Sequence, residues 1–355
     1  MAKVLMDGNS AIGEAAIRAG CQCYFGYPIT PQNELTEYMA MHLSRRKGCC
    51  FIQAESEIAA INMVFGASAV GARAMTSSSS PGISLKQEGI SYLASLEFPA
   101  VIVNMSRGGP GLGSIAASQS DYFQATRGGG HGDYRTIVLA PSSVQELADL
   151  THRAFELADR YLTPVVILGD GLLGQIMEPV EFKHEAPEEL SVRSGALRGA
   201  AGRPSKFFKT LTSNTLELEE LNWRLFRKYQ LIEKKETDFE TFLVEDAKLI
   251  VVAFGISSRI AKGAINNARR DGLKVGMLRP ITLWPFPSRK VRELAKKTRN
   301  FLVFELNMGQ MLEDVELALG GKGEVSFYGR PGGVIPTPSE VYQVISRLYY
   351  QKGLN

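Results

Sequence analysis

Cysteine is scarce in this 355-residue chain: there are four, Cys21, Cys23, Cys49 and Cys50. So few thiols exclude a disulfide-stapled scaffold. Their CxC and CC spacings match no zinc or ferredoxin pattern. Buried apolar thiols are therefore expected, with a shared metal site as the alternative. An excess of charge of one sign is also missing. The formal net charge is +3, too small to argue for nucleic acid or an anionic membrane surface as partner. No apolar run is long enough to span a bilayer. The opening MAKVLMDGNSAIGEAAIRAG lacks a signal-peptide pattern, so a cytoplasmic location is expected. What is present is ordinary for a globular protein: 45% hydrophobic and 22% charged residues. The length predicts two domains.

Strands and helices alternate through the first half. GNSAIGEAAIRAG, TPQNELTEYMAMHL, EIAAINMVFGASAVG, ISYLASLEFP and SSVQELADLTHRAFELADRYLT read as helices. CQCYFGYP, CCFIQAES, ARAMTSSSS, PAVIVNMSR and PVVILGDG read as strands with their exits. Continuous apolar runs such as AVIVNM and PVVIL indicate strands covered on both faces, hence a parallel sheet. A doubly wound α/β domain over residues 1–185 is expected. Residues 186–245 begin polar and Gly/Pro-rich, as a linker, and continue as the charged amphipathic helix NTLELEELNWRLFRKYQLIEKKE. The α/β rhythm resumes over 246–355, predicting a second, smaller doubly wound domain. There is no internal repeat beyond this shared rhythm.

Ligands of such folds bind beyond the carboxyl ends of the strands, so the exits matter most. In CYFGYPITPQNELTEYM, Pro31 disfavours the α region for Thr30. Thr30 is then either an N-cap with Pro31 as first helical residue, or a hydroxyl held rigidly towards a cleft. GGPGLG, Gly108–Gly113, resembles a dinucleotide fingerprint, but no helix opens after it as that motif requires. A ligand-covering loop is the better reading. GDG at Gly169–Gly171 resembles the start of a Mg²⁺–diphosphate motif, which needs oxygen ligands around a hard cation. The first Asn after it is the distant Asn214, so it reads as a strand exit. Glu57 and Arg107 each have a plain explanation, as a first-turn carboxylate and a surface charge. Together with Thr30 they place a hydroxyl, a carboxylate and a guanidinium at one sheet edge.

The stretches GNSAIGEAAIRAGCQCYFGYPITP, ESEIAAINMVFGASAVGARAMTSSSSPG, PAVIVNMSRGGPGLG, APSSVQELADLTHRAFELADR, RPITLWPFP, FELNMGQM and GRPGGVIPTP carry a family likeness. The chain resembles the alpha-type subunit of 2-oxoacid:ferredoxin oxidoreductases, most of all the 2-oxoisovalerate (3-methyl-2-oxobutanoate) branch. The likeness covers nearly everything but the linker. It implies a pyrimidine-type thiamine-diphosphate domain followed by a transketolase C-terminal-like domain. It implies oxidative decarboxylation of a 2-oxoacid with coenzyme A to acyl-CoA, CO₂ and reduced ferredoxin. It also implies partners: a beta-type subunit gripping the diphosphate and Mg²⁺, gamma-type and ferredoxin-like subunits, ferredoxin, and a dimer of hetero-oligomers. Iron–sulfur clusters would sit on those partners, since this chain has no Cys₄ set.

Roles follow by the same likeness. Glu57, with Glu55 as the competing choice, would hydrogen-bond the cofactor's pyrimidine nitrogen and promote proton removal at the thiazolium carbon. Tyr27, Pro28 and Ile29 would line the cofactor. Arg107 would bind the substrate carboxylate, and Thr30 the 2-oxo group. The loop GGPGLGSIAASQSD departs from the GPSTG-type loop of several relatives, so 2-oxoglutarate and aryl 2-oxoacids stay open as substrates, as does a non-catalytic docking subunit. The role of Gly329–Pro338 is open too.

Overall fold

The computed structural model describes residues 3–185, 187 and 195–354. The linker expected from residue 186 onward lies partly outside these. The first unit runs β1 (Val4–Asp7), α1 (Gly8–Arg18), β2 (Cys23–Gly26), α2 (Asn33–His42), β3 (Cys50–Gln53), α3 (Glu57–Ala69), β4 (Ala74–Ser78), α4 (Ser80–Ser95), β5 (Ala100–Ser106), α5 (Tyr122–Arg127), β6 (Ile137–Leu139), α6 (Val144–Tyr161), β7 (Pro164–Asp170), α7 (Gly171–Gln175) and β8 (Met177–Val180). The linker helix α8 (Thr215–Glu236) follows, with Lys228 bonded to Glu97 and Glu236 to Tyr161 of the first unit. The second unit comprises β9 (Phe239–Phe242), β10 (Leu249–Val252), α9 (Gly255–Arg270), β11 (Val275–Pro280), β12 (Thr282–Trp284), α10 (Ser288–Leu294), β13 (Asn300–Glu305), α11 (Gln310–Leu319), β14 (Glu324–Gly329) and α12 (Pro338–Gln351).

The larger sheet has seven strands in the order β12-β6-β7-β5-β4-β2-β3. All its pairs are parallel except β12 with β6. Every residue of β5 and β7 is buried, as their unbroken apolar runs require of strands covered on both faces. The smaller sheet has five strands, β14-β13-β10-β11-β9, parallel but for β9. Two doubly wound α/β units are thus observed, as expected.

Several elements escaped the sequence pattern. α4 begins at Ser80, ahead of the apolar ISYLASLEFP segment that marks only its second half. In its early turns, SPGISLKQEG, one face is buried, and that face includes the polar Ser80, Lys86 and Gln87. Glycine makes that possible: a Cβ on Gly89 would lie 2.6 Å from the Ile61 side chain. The strands β1, β6, β8, β9 and β12 have four residues or fewer, too short for periodicity to show. Thr30 and Pro31 are corrected as cap and first helical residue. α2 starts at Asn33, and its N-cap Gln32 makes no side-chain capping bond. The Gln32 side chain faces Ser77 and Thr36 instead.

The two units are tied at the loop after β5. Gln119 is buried. Its Nε2 donates to Phe254 O at 2.8 Å, and its Oε1 accepts from Leu306 N at 3.0 Å and from Ser257 Oγ. Its backbone bonds Leu306 O and Asn307 Nδ2. Tyr122 and Arg127 of α5 both bond the buried Asp314 of α11, at 2.5 and 2.8 Å. Arg279 grips Glu146 with two parallel bonds of 2.6 and 2.8 Å. β12 adds directly to the first unit's sheet. The second unit is therefore anchored beside the strand exits of the first.

Candidate active site

Four strand exits lie side by side, because β5, β4, β2 and β3 are consecutive in the sheet. From β5 comes Arg107, from β4 the run Ser78–Ser80, from β2 the bend Tyr27–Pro31, and from β3 Glu57.

Glu57 is the first residue of α3, whose N-cap Ser56 accepts from Ala59 N. A carboxylate there is favoured by the helix dipole, yet it is turned inward and only 6% exposed. It lies against Gly82 of α4: a Cβ at Gly82 would come within 2.6 Å of Glu57 Oε1. No hydrogen bond reaches the carboxylate among the described residues. Glu55, the competing choice, is exposed.

Arg107 is 9% exposed. Its Nη1 donates to Thr30 O at 2.9 Å and its Nη2 to Leu112 O at 3.0 Å. One guanidinium thereby ties the bend after β2 to the loop after β5. Its Nε is buried and unpartnered. Below it, Ser80 Oγ accepts from Arg107 N at 2.9 Å and donates to Asp121 at 2.6 Å. Asn104 donates to the same carboxylate at 2.9 Å. Burial raises the Asp121 carboxyl, against the pull of these bonds.

Thr30 meets Arg107 through its carbonyl, and its hydroxyl has no hydrogen bond among the described residues. Tyr27 and Pro28 are exposed and Ile29 is half-buried. The GGPGLG loop closes on itself: Gly108 N bonds Ala116 O at 2.9 Å and Ser114 N bonds Gly108 O at 2.7 Å. It opens no helix, so the nucleotide reading has no support in its geometry. Gly113 sits at φ +60°, where a Cβ would be 1.7 Å from Gly108 O. The loop is backed by the second unit. A Cβ on Gly333 would be 2.5 Å from Ala116 Cβ, and one on Gly108 would be 3.2 Å from Gly332. The Gly329–Pro338 stretch thus supports the wall that holds Arg107.

The distribution of unsatisfied groups is informative. Buried hydroxyls of Ser78 and Ser79 and Nε of Arg107 lack partners, and the Glu57 carboxylate is unbonded. Buried polar groups are nearly always paired, so a cluster of orphans at adjacent strand ends marks a place for a ligand.

A family profile described as "Pyruvate flavodoxin/ferredoxin oxidoreductase, thiamine diP-bdg" matches residues 14–229. A second, "Pyruvate:ferredoxin oxidoreductase core domain II", matches 247–341. A ketoisovalerate oxidoreductase subunit of Methanothermobacter marburgensis is 52% identical over 335 residues, 94% of each chain. The chain belongs to the 2-oxoacid:ferredoxin oxidoreductase family, as an alpha-type subunit.

Within it, a 2-oxoglutarate synthase subunit of Methanothermobacter thermautotrophicus is 38% identical over 376 residues, covering 97% of this chain and 98% of the relative. Among solved structures, a 2-oxoglutarate:ferredoxin oxidoreductase from Magnetococcus marinus, with 2-oxoglutarate, coenzyme A and succinyl-CoA bound, superposes with a TM-score of 0.81 at 27% identity. The match covers 97% of this chain, which spans 65% of that one. A split-gene transketolase, an inactive tetramer, shares the fold with a TM-score of 0.60 at 14% identity, over 96% of this chain and 97% of that one.

Thiamine diphosphate is the cofactor of this family's first domain. The site fits one half of it: an unbonded buried carboxylate and orphan hydroxyls suit the polar edge of an aminopyrimidine. It does not fit the diphosphate half. Asp170 of GDG caps α7, accepting from Leu172 N at 3.0 Å and Leu173 N at 3.1 Å, and burial raises its carboxyl to about 6. No group of three or more His, Cys, Asp and Glu suited to a metal occurs among the described residues. The cysteines lie at the other end of the sheet: Cys23 and Cys50 open β2 and β3 as register partners. Sγ of Cys21 faces Cys23 O, and Sγ of Cys49 faces Cys21 O. Burial pushes the Cys21 thiol well up and the Cys23 thiol to about 11, as for protonated apolar thiols. No described helix is long and apolar enough to cross a membrane.

Nothing in the sequence singled out Ser78, Ser79, Gly82, Lys86 or Asp121. The run SSSSPG is the one signal that could have: four hydroxyls in series end a buried strand, and two of them, Ser78 and Ser79, are left without partners.

Proposed function

We propose that this chain supplies the aminopyrimidine- and substrate-binding face of a branched-chain 2-oxoacid:ferredoxin oxidoreductase, with 2-oxoisovalerate as substrate. The observation that carries the reading is the buried Glu57 carboxylate, which shares the surface of Gly82 with the unpartnered Ser78 hydroxyl, while the orphan donors of Ser79 and Arg107 stand at the neighbouring strand ends. Thiamine diphosphate, when bound, supplies the nucleophilic carbon and the electron sink for decarboxylation. Glu57 holds a proton against its pyrimidine ring nitrogen. Arg107 keeps the N–H groups not spent on Thr30 O and Leu112 O for the substrate carboxylate. The Thr30 hydroxyl bonds the 2-oxo oxygen, and Tyr27, Pro28 and Ile29 wall the ring.

Three large apolar side chains at these strand exits are exposed, Ile58, Leu112 and Ile115 at 50, 79 and 67%. An apolar rim favours a branched aliphatic tail. The second carboxylate of 2-oxoglutarate would need a further exposed cation beside Arg107. The same rim is the surface on which a beta-type subunit, carrying the diphosphate, Mg²⁺ and iron–sulfur sites, seats itself. Gamma-type and ferredoxin-like subunits complete a cytoplasmic complex that hands electrons to ferredoxin and the acyl group to coenzyme A. The unpartnered Ser78 hydroxyl and the inward-turned Glu57 carboxylate, both over Gly82, argue against a purely docking subunit.

The test is co-expression with the partner subunits and CoA-dependent ferredoxin reduction on a panel of 2-oxoacids. Preference for 2-oxoisovalerate over 2-oxoglutarate and aryl 2-oxoacids is expected. Equal or greater turnover of 2-oxoglutarate would overturn the substrate assignment.

A further inference from the structure

The loop after β5 returns a carboxylate beneath Arg107 that has no part in the chemistry above. Asp121 is buried, and its partners are a hydroxyl and an amide rather than a cation. Its Oδ2 accepts from Ser80 Oγ at 2.6 Å and from Asn104 Nδ2 at 2.9 Å. Asn104 stands on β5, three residues before Arg107, and its Oδ1 accepts from Ser80 N at 3.2 Å. Ser80, Asn104 and Asp121 thus close a ring of hydrogen bonds between the start of α4, the strand β5 and the loop that follows it. All three side chains are buried. The ring reaches outward at one point, where Ser80 Oγ accepts from Arg107 N at 2.9 Å.

Proton accounting gives the carboxylate its purpose. A hydroxyl has one proton to donate and two lone pairs. The Ser80 proton has two acceptors in reach, Asp121 Oδ2 at 2.6 Å and Arg107 O at 3.3 Å. The carboxylate is nearer and charged, so it takes the proton. A lone pair of Ser80 is then left for Arg107 N, and the peptide from which the guanidinium starts is pinned. Asp121 is in turn held from the second unit. Gln310 Nε2 donates to Ser120 O at 2.7 Å, and Gln310 Oε1 accepts from Phe123 N at 2.8 Å, one residue before and two after the carboxylate. We propose that Asp121 is a positioning residue for Arg107, setting the Ser80 hydroxyl so that the arginine backbone is fixed at the strand exit. That Arg107 then meets a substrate carboxylate rests on the functional reading above; the fixing of its backbone does not.

The first measurement needs no cofactor. It is hydrogen exchange at the Arg107 amide of the isolated full-length chain, by mass spectrometry with fragmentation to single residues. Asp121→Ala should speed exchange about fivefold, the worth of one neutral hydrogen bond. Asp121→Asn keeps an acceptor oxygen for Ser80 and should recover most of the protection. If Asp121→Ala does not fold, Ser80→Ala removes the acceptor itself and takes its place. The second measurement is kinetic, in the assembled enzyme. Misplacing a binding group by about 1 Å costs up to about 10²-fold. Asp121→Ala should therefore lower kcat/KM for the 2-oxoacid by about tenfold to a hundredfold, mostly through KM, with half-saturation by thiamine diphosphate unmoved. In an Arg107→Lys background the same substitution should cost about threefold at most, because the group it positions is already gone. Unchanged exchange at Arg107, or losses that multiply in full in the double variant, overturns the positioning role. An Arg107→Lys enzyme with full kcat/KM would instead refute the substrate reading, and the exchange result would still decide the role of Asp121.

Discussion

Replacing Arg107 by Lys keeps the charge and removes the fork. In the structure the fork spans two carbonyls from different strand exits, Thr30 O and Leu112 O, at 2.9 and 3.0 Å. One Nζ on a flexible stem can keep one of these at its present geometry but not both. A hydrogen bond with a charged partner contributes about 1.5–3 kcal/mol. Leu112 is largely exposed, so water can replace the donor at that carbonyl. The low end applies, and folding stability should fall by about 1.5 kcal/mol. The kinetic effect should be larger. Lysine has no second N–H pair for a planar carboxylate, so loss of one more such bond predicts a fall of about tenfold to a hundredfold in kcat/KM. KM for the 2-oxoacid should rise, while half-saturation by thiamine diphosphate stays put. Urea unfolding of the chain and steady-state kinetics of the assembled enzyme separate the two effects. Unchanged kcat/KM for the oxoacid, or a selective loss of cofactor affinity, would refute Arg107 as the carboxylate clamp. The Gly108–Gly113 loop would then be the place to look.

Glu57→Gln should lower turnover of the assembled enzyme by about 10²- to 10⁴-fold, the usual worth of acid–base catalysis. Glu55→Gln, at an exposed position, should stay near the wild-type rate. A reversal of that order would move the cofactor contact to Glu55. Calorimetric titration of the isolated chain with thiamine diphosphate and Mg²⁺ should show no tight binding, because Asp170 is spent on α7. Submicromolar affinity would contradict a divided cofactor site. Gly333→Ala should loosen the wall behind Arg107, since φ is +100° and the added Cβ would meet Ala116 Cβ at 2.5 Å. Its signature is faster proteolysis of the 108–116 loop, and equal protection in both proteins would count against the contact. Burial raises the Glu305 carboxyl to about 7, against bonds from Met311 N and Leu312 N. Its folded value lies above its unfolded one, so its contribution is fully present below the unfolded value of 4.5 and is lost as pH rises through about 7. Urea stability should drop between pH 5 and 8 by about 3 kcal/mol at most, and Glu305→Gln should flatten that slope. A slope equally steep in the variant would assign it to another group.

The sequence by itself determined the class of fold and the strand exits at which the candidate site residues stand. AVIVNM and PVVIL are apolar without interruption because both faces of β5 and β7 are covered. That alone implies a parallel sheet and a ligand at its carboxyl edge. It put Thr30, Glu57 and Arg107 at strand exits, and there they are. What it could not determine was which exits are neighbours. The order β5-β4-β2-β3 is set by crossovers, and no local pattern encodes them. Thr30 looked like a helix cap because capping is a local rule, whereas the bend is held by a guanidinium distant in the chain. Glu55 and Glu57 are equivalent as letters, and only burial against Gly82 separates them. SPGISLKQEG carries too little apolar periodicity to announce a helix, and a lysine within it gives no hint of being fully enclosed. Its Nζ is held by Thr76 and Ser77, which arrive from β4. Local chemistry fixes where the chain turns and which residues stand at the turn. Which of those residues come to stand side by side is decided by contacts between segments far apart in sequence.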